Sequence, residues 1–278
     1  MISVLFGLLS ALSWGGGDFV GGLASRKTGP YRAVLYGEAF GLLLLFGMGV
    51  FLHEPVLSMQ KILLAGFAGA IGSFGLLTLY RALVAGKMSI ATSVSALLAA
   101  ALPVLVGTLT DGFPSATKMS GFACALAAVW LVAQDDSGKT QMMRLADLRL
   151  PLLASLCFGT YFIIMHQASD KTVLMPMIAS RTGGMLILLA FVLTRKESWQ
   201  VTRSAWPLIG LNAILDVGGN AFYILAGQAG RMDVAAVLSS LYPGTTVLLA
   251  WLILKEKINR LQWLGIVSAL LAIGLLTI

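Results

Sequence analysis

The sequence predicts an all-α membrane protein of ten transmembrane helices, arranged as two inverted five-helix repeats, and three observations lead there. First, 58% of the residues are hydrophobic and only 11% charged, and the mean hydropathy is +0.89, far from the balance of a water-soluble domain. Second, apolar runs occupy residues 2–24, 31–52, 62–85, 88–110, 119–134, 150–168, 173–194, 205–228, 232–254 and 261–278. A helix needs about 20 such residues to cross a ~30 Å hydrocarbon core. Third, the chain repeats itself at an offset of 144 residues: Gly86-Lys87-Met88-Ser89-Ile90-Ala91 returns as Gly230-Arg231-Met232-Asp233-Val234-Ala235. Without a gap, the same offset carries Trp14-Gly15 onto Phe158-Gly159, Ser95 onto Ser239, and Gly121-x-x-x-Ala125-Leu126 onto Gly265-x-x-x-Ala269-Leu270. Five crossings is an odd number, so the second copy enters the bilayer from the opposite face. That is the plan of a secondary transporter, with its substrate site near the midplane where the copies meet.

Each run has its reasons. No basic residue precedes run 2–24 and no small-x-small cleavage site follows it, so it reads as a retained first helix. Gly29-Pro30, His53-Glu54-Pro55 and Gly112-Phe113-Pro114 punctuate the short connections that follow. The run 119–134 is short and must stand upright or lean on its neighbours. Residues 135–149 are polar and form the linker, which divides the chain into a first repeat over 1–134 and a second over 150–278. Pro103, Pro176 and Pro243-Gly244 remove backbone donors inside runs, and Gly183-Gly184 and Gly218-Gly219 permit close packing, which together mark expected bends in the fourth, seventh, eighth and ninth helices.

Sidedness follows from Lys and Arg. Connections 1–2, 3–4, 5–6, 7–8 and 9–10 hold Arg26, Lys27, Arg32, Lys87, Lys139, Arg144, Arg149, Arg195, Lys196, Arg203, Lys255, Lys257 and Arg260, against Lys61, Lys118, Lys171 and Arg231 on the other face. Basic loops stay in the cytoplasm, which puts both termini outside a plasma membrane. The net charge of +7 is dispersed between apolar runs as lipid-facing anchors, so no nucleic-acid partner is expected. Two histidines far apart, and Cys124 and Cys157 without a pairing pattern, provide no metal site and no cofactor.

Ionisable groups inside a span usually mark a cavity, a partner or a proton route. Here they are Asp18, Glu38, Arg81, His166, Arg181 and Asp216. Asp18 and Glu38 lie at one depth in adjacent helices, where two carboxylates resist double ionisation; they are the proton-coupling candidates, the alternative being a structural ion pair with Arg81. Arg181 and Asp216 both fall near mid-membrane: Arg181 is suited to an anionic substrate group, or is permanently paired with Asp216. Asn212, Asp216, Asn220 and Tyr223 make a stripe along the eighth helix, which faces either a water-filled cavity or neighbouring helices. Trp14, Tyr161 and Tyr223 are candidates for the apolar wall of the substrate site, and His166 is read as a packing residue. At the 144 offset Glu38 meets Thr182, Arg181 meets Gly37, Asp216 meets Gly72 and Asn220 meets Leu76, so these polar groups break the symmetry, as an asymmetric substrate requires.

Ser13-Trp14-Gly15, Tyr80-Arg81-Ala82-Leu83, Leu241-Tyr242-Pro243, and Lys255-Glu256-Lys257 followed by Gln262-Trp263-Leu264-Gly265 occur at matching places in this five-plus-five plan. On them the whole chain resembles the drug/metabolite transporter superfamily, specifically its ten-helix EamA-type members. The first copy departs from that pattern, with Asp111-Gly112 where a Gly-Glu pair is usual. The resemblance implies a small-molecule carrier, in bacteria often an exporter of amino acids or related metabolites. The reading is a secondary active transporter of small polar or zwitterionic metabolites such as amino acids, working as a monomer or homodimer by alternating access. The alternatives are proton-coupled efflux of organic cations and, from another class, a membrane-embedded enzyme or lipid-handling protein. For the last, no nucleophile, base and metal constellation is present in the sequence.

Overall fold

A computed structural model describes residues 1–52, 54–85, 88–132, 145–169, 171–195, 199–255 and 259–277. Most of the linker, with Lys139 and Arg144, and also His53, Gly86, Lys87, Lys196, Glu256 and Lys257, lie outside the described residues. The helices are α1 (Ile2–Thr28), α2 (Pro30–Leu52), α3 (Met59–Ala85), α4 (Met88–Asp111), α5 (Ala116–Val132), α6 (Leu145–Ala168), α7 (Leu174–Arg195), α8 (Trp206–Gln228), α9 (Met232–Ser239), α10 (Tyr242–Leu254) and α11 (Arg260–Thr277). With α9 and α10 taken as one interrupted span, eight are long and apolar enough to cross a membrane, and α5 and α11 are shorter. No strand occurs among the described residues. The chain is thus an all-helical, multi-pass membrane protein.

Local chemistry sets the ends. α1 stops at Gly29, whose φ of 89° favours a residue without Cβ, with Arg26 and Lys27 in its last turn facing the helix dipole. Pro30 then starts α2, at a position where no backbone donor is needed. Glu54 ends up across the molecule, its carboxylate accepting from the backbone N–H groups of Val173, Leu174 and Met175 at 2.8–3.2 Å and so capping α7.

The run 232–254 is one expected helix that the structure divides. Pro243 has no N–H to give the carbonyl of residue 239, and its ring would collide with that carbonyl. Ser240 instead turns its hydroxyl onto the Val237 carbonyl at 2.7 Å, Leu241 N–H bonds to Leu238, and α10 restarts at Tyr242. Pro103 is accommodated inside an uninterrupted α4. Pro176 sits in the first turn of α7, where a missing donor costs nothing, so it marks a beginning and no bend.

The two copies meet about a pseudo-two-fold axis, and residue pairs show it. Ser268 donates to the carbonyl of Cys124 at 2.8 Å, and these positions differ by the repeat offset of 144. A Cβ on Gly121 would lie 2.8 Å from Leu276, and one on Gly265 would lie 2.8 Å from Val132, the same contact with the copies exchanged. Gly75 likewise abuts Phe158 as Gly219 abuts Trp14, and Gly159 abuts Leu102 as the Gly15 carbonyl accepts from Thr246 at 3.0 Å. α5 therefore packs on α11, α1 on α8, and α3 on α6. The fold expected from the duplication is the fold observed.

Loops meet according to face. Arg32 and Tyr36 donate to the carbonyls of Gln200 and Trp199 at 2.8 and 2.9 Å, and Thr202 to Lys27, joining two basic connections. On the opposite face Arg231 donates to the Gly112 carbonyl at 3.1 Å. Large apolar side chains such as Leu43, Phe46, Leu105, Leu186, Ile253 and Leu270 face outward, which costs nothing in hydrocarbon, while Tyr36 and Phe40 hold Trp206 edge-on at the basic end, where amphipathic rings anchor.

Candidate functional site

Ionised side chains are tolerated at membrane depth only when turned inward and paired. Here they converge on one chamber between the two copies. α1 supplies Trp14 and Asp18, α2 Glu38, α3 Ser73, α6 Phe158, Tyr161 and Phe162, α7 Arg181, α8 Asp216 and Asn220, and α10 Tyr242.

A continuous polar chain runs through it. Tyr161 donates to Asn220 Oδ1 at 2.5 Å, and Asn220 Nδ2 donates to the Asp216 carbonyl at 2.7 Å and to its carboxylate at 3.3 Å. Arg181 donates to Asp216 through Nη2 and reaches Glu38 Oε2 through Nη1 at 2.9 Å, while Ser73 donates to Glu38 Oε1 at 3.2 Å. Glycine makes room for the guanidinium: a Cβ on Gly41 would approach it to 3.1 Å. Two carboxylates thus hold Arg181 in this conformation. Asp18, buried in the same chamber, has neither a hydrogen bond nor an ion pair among the described residues. Three carboxylates and one guanidinium therefore line the chamber, against walls of Trp14, Phe158, Tyr161 and Phe162.

Six of the expected site residues, Arg181, Asp216, Asn220, Trp14, Tyr161 and Glu38, meet in this chamber, and Asp18 joins them. One expectation is corrected, Tyr223 as a wall of the central site, and two open alternatives are decided, for Arg81 and Asn212. Arg81 pairs with neither Asp18 nor Glu38: it is exposed near the end of α3, its guanidinium 5.9 Å from the Tyr31 ring centre, and Arg181 takes Glu38 in its place. Asn212, one turn before Asp216, donates to the Gly17 carbonyl and to Tyr80 Oη, both at 2.9 Å; it ties α1, α3 and α8 together and lies off the chamber. Tyr223 stands behind the wall, its hydroxyl on the Phe162 carbonyl at 3.1 Å, because three residues leave it about 60° round the helix from Asn220. It lines a second chamber with His166, Ser169, Ile224, Gly227 and Gln228.

Sequence reasoning missed Ser73, Tyr242, Phe158 and Phe162. Phe158 was within reach, since it is the counterpart of Trp14 one repeat away, and Tyr242 belongs to the Leu241-Tyr242-Pro243 motif at the helix break. Tyr242 Oη lies 2.8 Å from Ser95 Oγ and donates to the Thr92 carbonyl at 3.3 Å, which fixes the restart of α10 against α4 beside the chamber. Ser73 carries no signal of its own in a span rich in small residues.

Comparison with known proteins follows the same lines. A family model described as the EamA-like transporter family matches residues 1–134 and 148–278. An uncharacterized protein of Methanocaldococcus jannaschii is 28% identical over 129 residues, covering 46% of this chain and 94% of its own length. A solved crystal structure superposes on 99% of this chain and 98% of its own with a TM-score of 0.81 at 14% identity, a likeness of fold. A duplicated bundle closed around a charged chamber, matched by that model in both halves, belongs to the EamA-like transporter family of the drug/metabolite transporter superfamily.

Proposed function

We propose that this membrane transporter is a secondary active carrier of small polar metabolites bearing an amine, amino acids and their derivatives first among them, moved outward across the plasma membrane by alternating access of the two repeats. The observation that carries the reading is the unpaired Asp18 lining the chamber whose one guanidinium is already held by two carboxylates. A cargo ammonium at Asp18 supplies the partner that this buried carboxylate lacks. Arg181 takes a cargo carboxylate by exchanging Glu38 or Asp216 for it, and Asn220 and Tyr161 hold the hydrogen-bonding groups between. Trp14 and Tyr161 close on the apolar part. Proton coupling falls to Asp18, since Glu38 is engaged by Arg181 and Ser73.

One observation favours a second reading, organic cations: with Arg181 saturated, the chamber offers an anionic group among aromatic faces, the setting in which cations bind. The two separate in one experiment. Purified protein is screened for thermal stabilisation by amino acids, organic cations, sugars and nucleotides, a bound ligand at about 100 times its Kd adding roughly 2.7 kcal/mol. Ligands that stabilise are then followed into proteoliposomes. With Arg181→Ala, amino-acid uptake is expected to collapse, whereas organic-cation uptake survives in the second reading. Stabilisation by sugars or nucleotides alone would overturn both.

A further inference from the structure

The second chamber has no part in the site just described, yet it lies in line with it. Along α8 the order is Asp216 and Asn220 on the central chamber, then Tyr223, then Gly227 and Gln228 on the second chamber. Along α6 it is Phe158, Tyr161 and Phe162 on the central chamber, then His166 and Ser169 on the second. Both helices run from the basic face towards the face of Glu54 and Arg231, so the two series agree in direction. Between the chambers stands an aromatic stack: Trp14 to Phe162 at 5.3 Å, Phe162 to Tyr223 at 4.7 Å and Trp14 to Tyr223 at 5.9 Å between ring centres. Ser169, 2% exposed, lines the second chamber with a hydroxyl that has no hydrogen-bond partner among the described residues, and Gln228 Nε2 braces its rim on the carbonyls of Ser169 and Thr172.

We infer that the second chamber is an antechamber on the transport route, receiving the polar end of the cargo at Ser169 and His166, and that the Trp14–Phe162–Tyr223 stack is the gate between it and the central site. The gate has reasons to be both firm and movable. Three rings packed face to tilted face exclude water, and the Tyr223 hydroxyl pins one of them to the Phe162 backbone. Gly219 lies against the Trp14 indole, where a Cβ would approach Nε1 to 2.6 Å, so rotation of the indole depends on α8 shifting against α1. Movement between repeats and opening of the gate are then one event. The inference rests on the central chamber being the cargo site.

Thiol accessibility tests it without needing the cargo. In a Cys124→Ser, Cys157→Ala background, single cysteines are placed by Phe113→Cys, which marks the Glu54 face, Ser169→Cys in the antechamber and Leu76→Cys in the central chamber. A membrane-impermeant, cationic thiol reagent is applied from the side that labels Phe113→Cys. Ser169→Cys is expected to react from that side and Leu76→Cys to be protected. Adding Tyr223→Ala should speed Leu76→Cys labelling about tenfold, as a gate open roughly 1% of the time becomes open roughly 10%. Tyr223→Phe, which keeps the ring, should leave it slow and serves as the folding control. Failure of Ser169→Cys to react from that side, or Leu76→Cys labelling indifferent to Tyr223→Ala, overturns the inference. Repeating the gate-open labelling with an anionic reagent separates the gate from the proposed function: faster reaction by the anion would remove the amine-binding role of the central chamber and leave the gate standing.

Discussion

Asp18 and Glu38 differ in what surrounds them, although both are buried acids in neighbouring helices. Glu38 is held by Arg181 and Ser73, and replacing it with Gln leaves a buried guanidinium with one charged partner where it had two. Glu38→Gln is therefore expected to lower stability by about 1–3 kcal/mol, the cost of leaving a buried donor short of a partner, as read from the melting transition in detergent. Asp18 has no such partner to strand. Asp18→Asn is expected to melt close to the parent while losing both stabilisation by cargo and accumulation driven by a pH gradient. Accumulation that survives in proteoliposomes would rule Asp18 out as the proton carrier. The residue types and depths were legible in the sequence, and so was the pairing of Arg181 with Asp216 as one of two alternatives. Direction around the helix was not. Arg81 follows the buried Tyr80 by one residue, a turn of about 100°, and that rotation alone carries it out to Tyr31 and away from Glu38.

At the scale of elements, small residues decide how closely helices approach. A Cβ on Gly183 would lie 2.8 Å from Gly66 Cα, and Gly69 meets the backbone of Ser180, so α3 and α7 cross backbone to backbone, as small residues permit in a bilayer. Gly183→Ala is expected to cost about 1–3 kcal/mol through overpacking. Gly210→Ala, where the added methyl meets nothing within 4 Å, should be neutral or gain about 0.5–1 kcal/mol from helix propensity, and the two melting temperatures side by side check the claim. The pair Gly183-Gly184 was readable as a close-packing signal. Its partner helix was not, because nothing in α7 names α3. The division of α9 from α10 was half legible: Pro243 marked the place, but Pro103 stands in an uninterrupted α4, and the difference shows in Ser240 and Leu241, which bond to the carbonyls of Val237 and Leu238 and close the last turn of α9.

At the scale of the whole molecule, neither half has an interior of its own. α1 buries itself on α8 and α10, and α3 on α6 and α7, so most inward faces of one repeat are covered by the other. The two segments matched by the family model, 1–134 and 148–278, expressed together as separate chains should therefore co-purify and carry cargo, while either alone should aggregate. Recovery of a folded, monodisperse single half would contradict this. The duplication was visible because its offset is ungapped, and with it the five-plus-five plan. The meeting of Cys124 with Ser268 needed coordinates, since sequence reveals that two copies exist and not where they touch.

That meeting point has an energetic consequence. Were the halves identical, exchanging the shapes of the two would turn the molecule end for end at no change in energy, and inward-open and outward-open forms would be equally populated. Any preference between them must come from places where one half departs from the other. The largest departures found here, the interruption after Ser239 opposite a continuous α4 and the cluster of Arg181, Asp216 and Glu38, all border the central chamber. The groups that would touch a passenger are thus the ones that set the resting tilt of the balance, so its arrival weighs directly on which side the vessel faces.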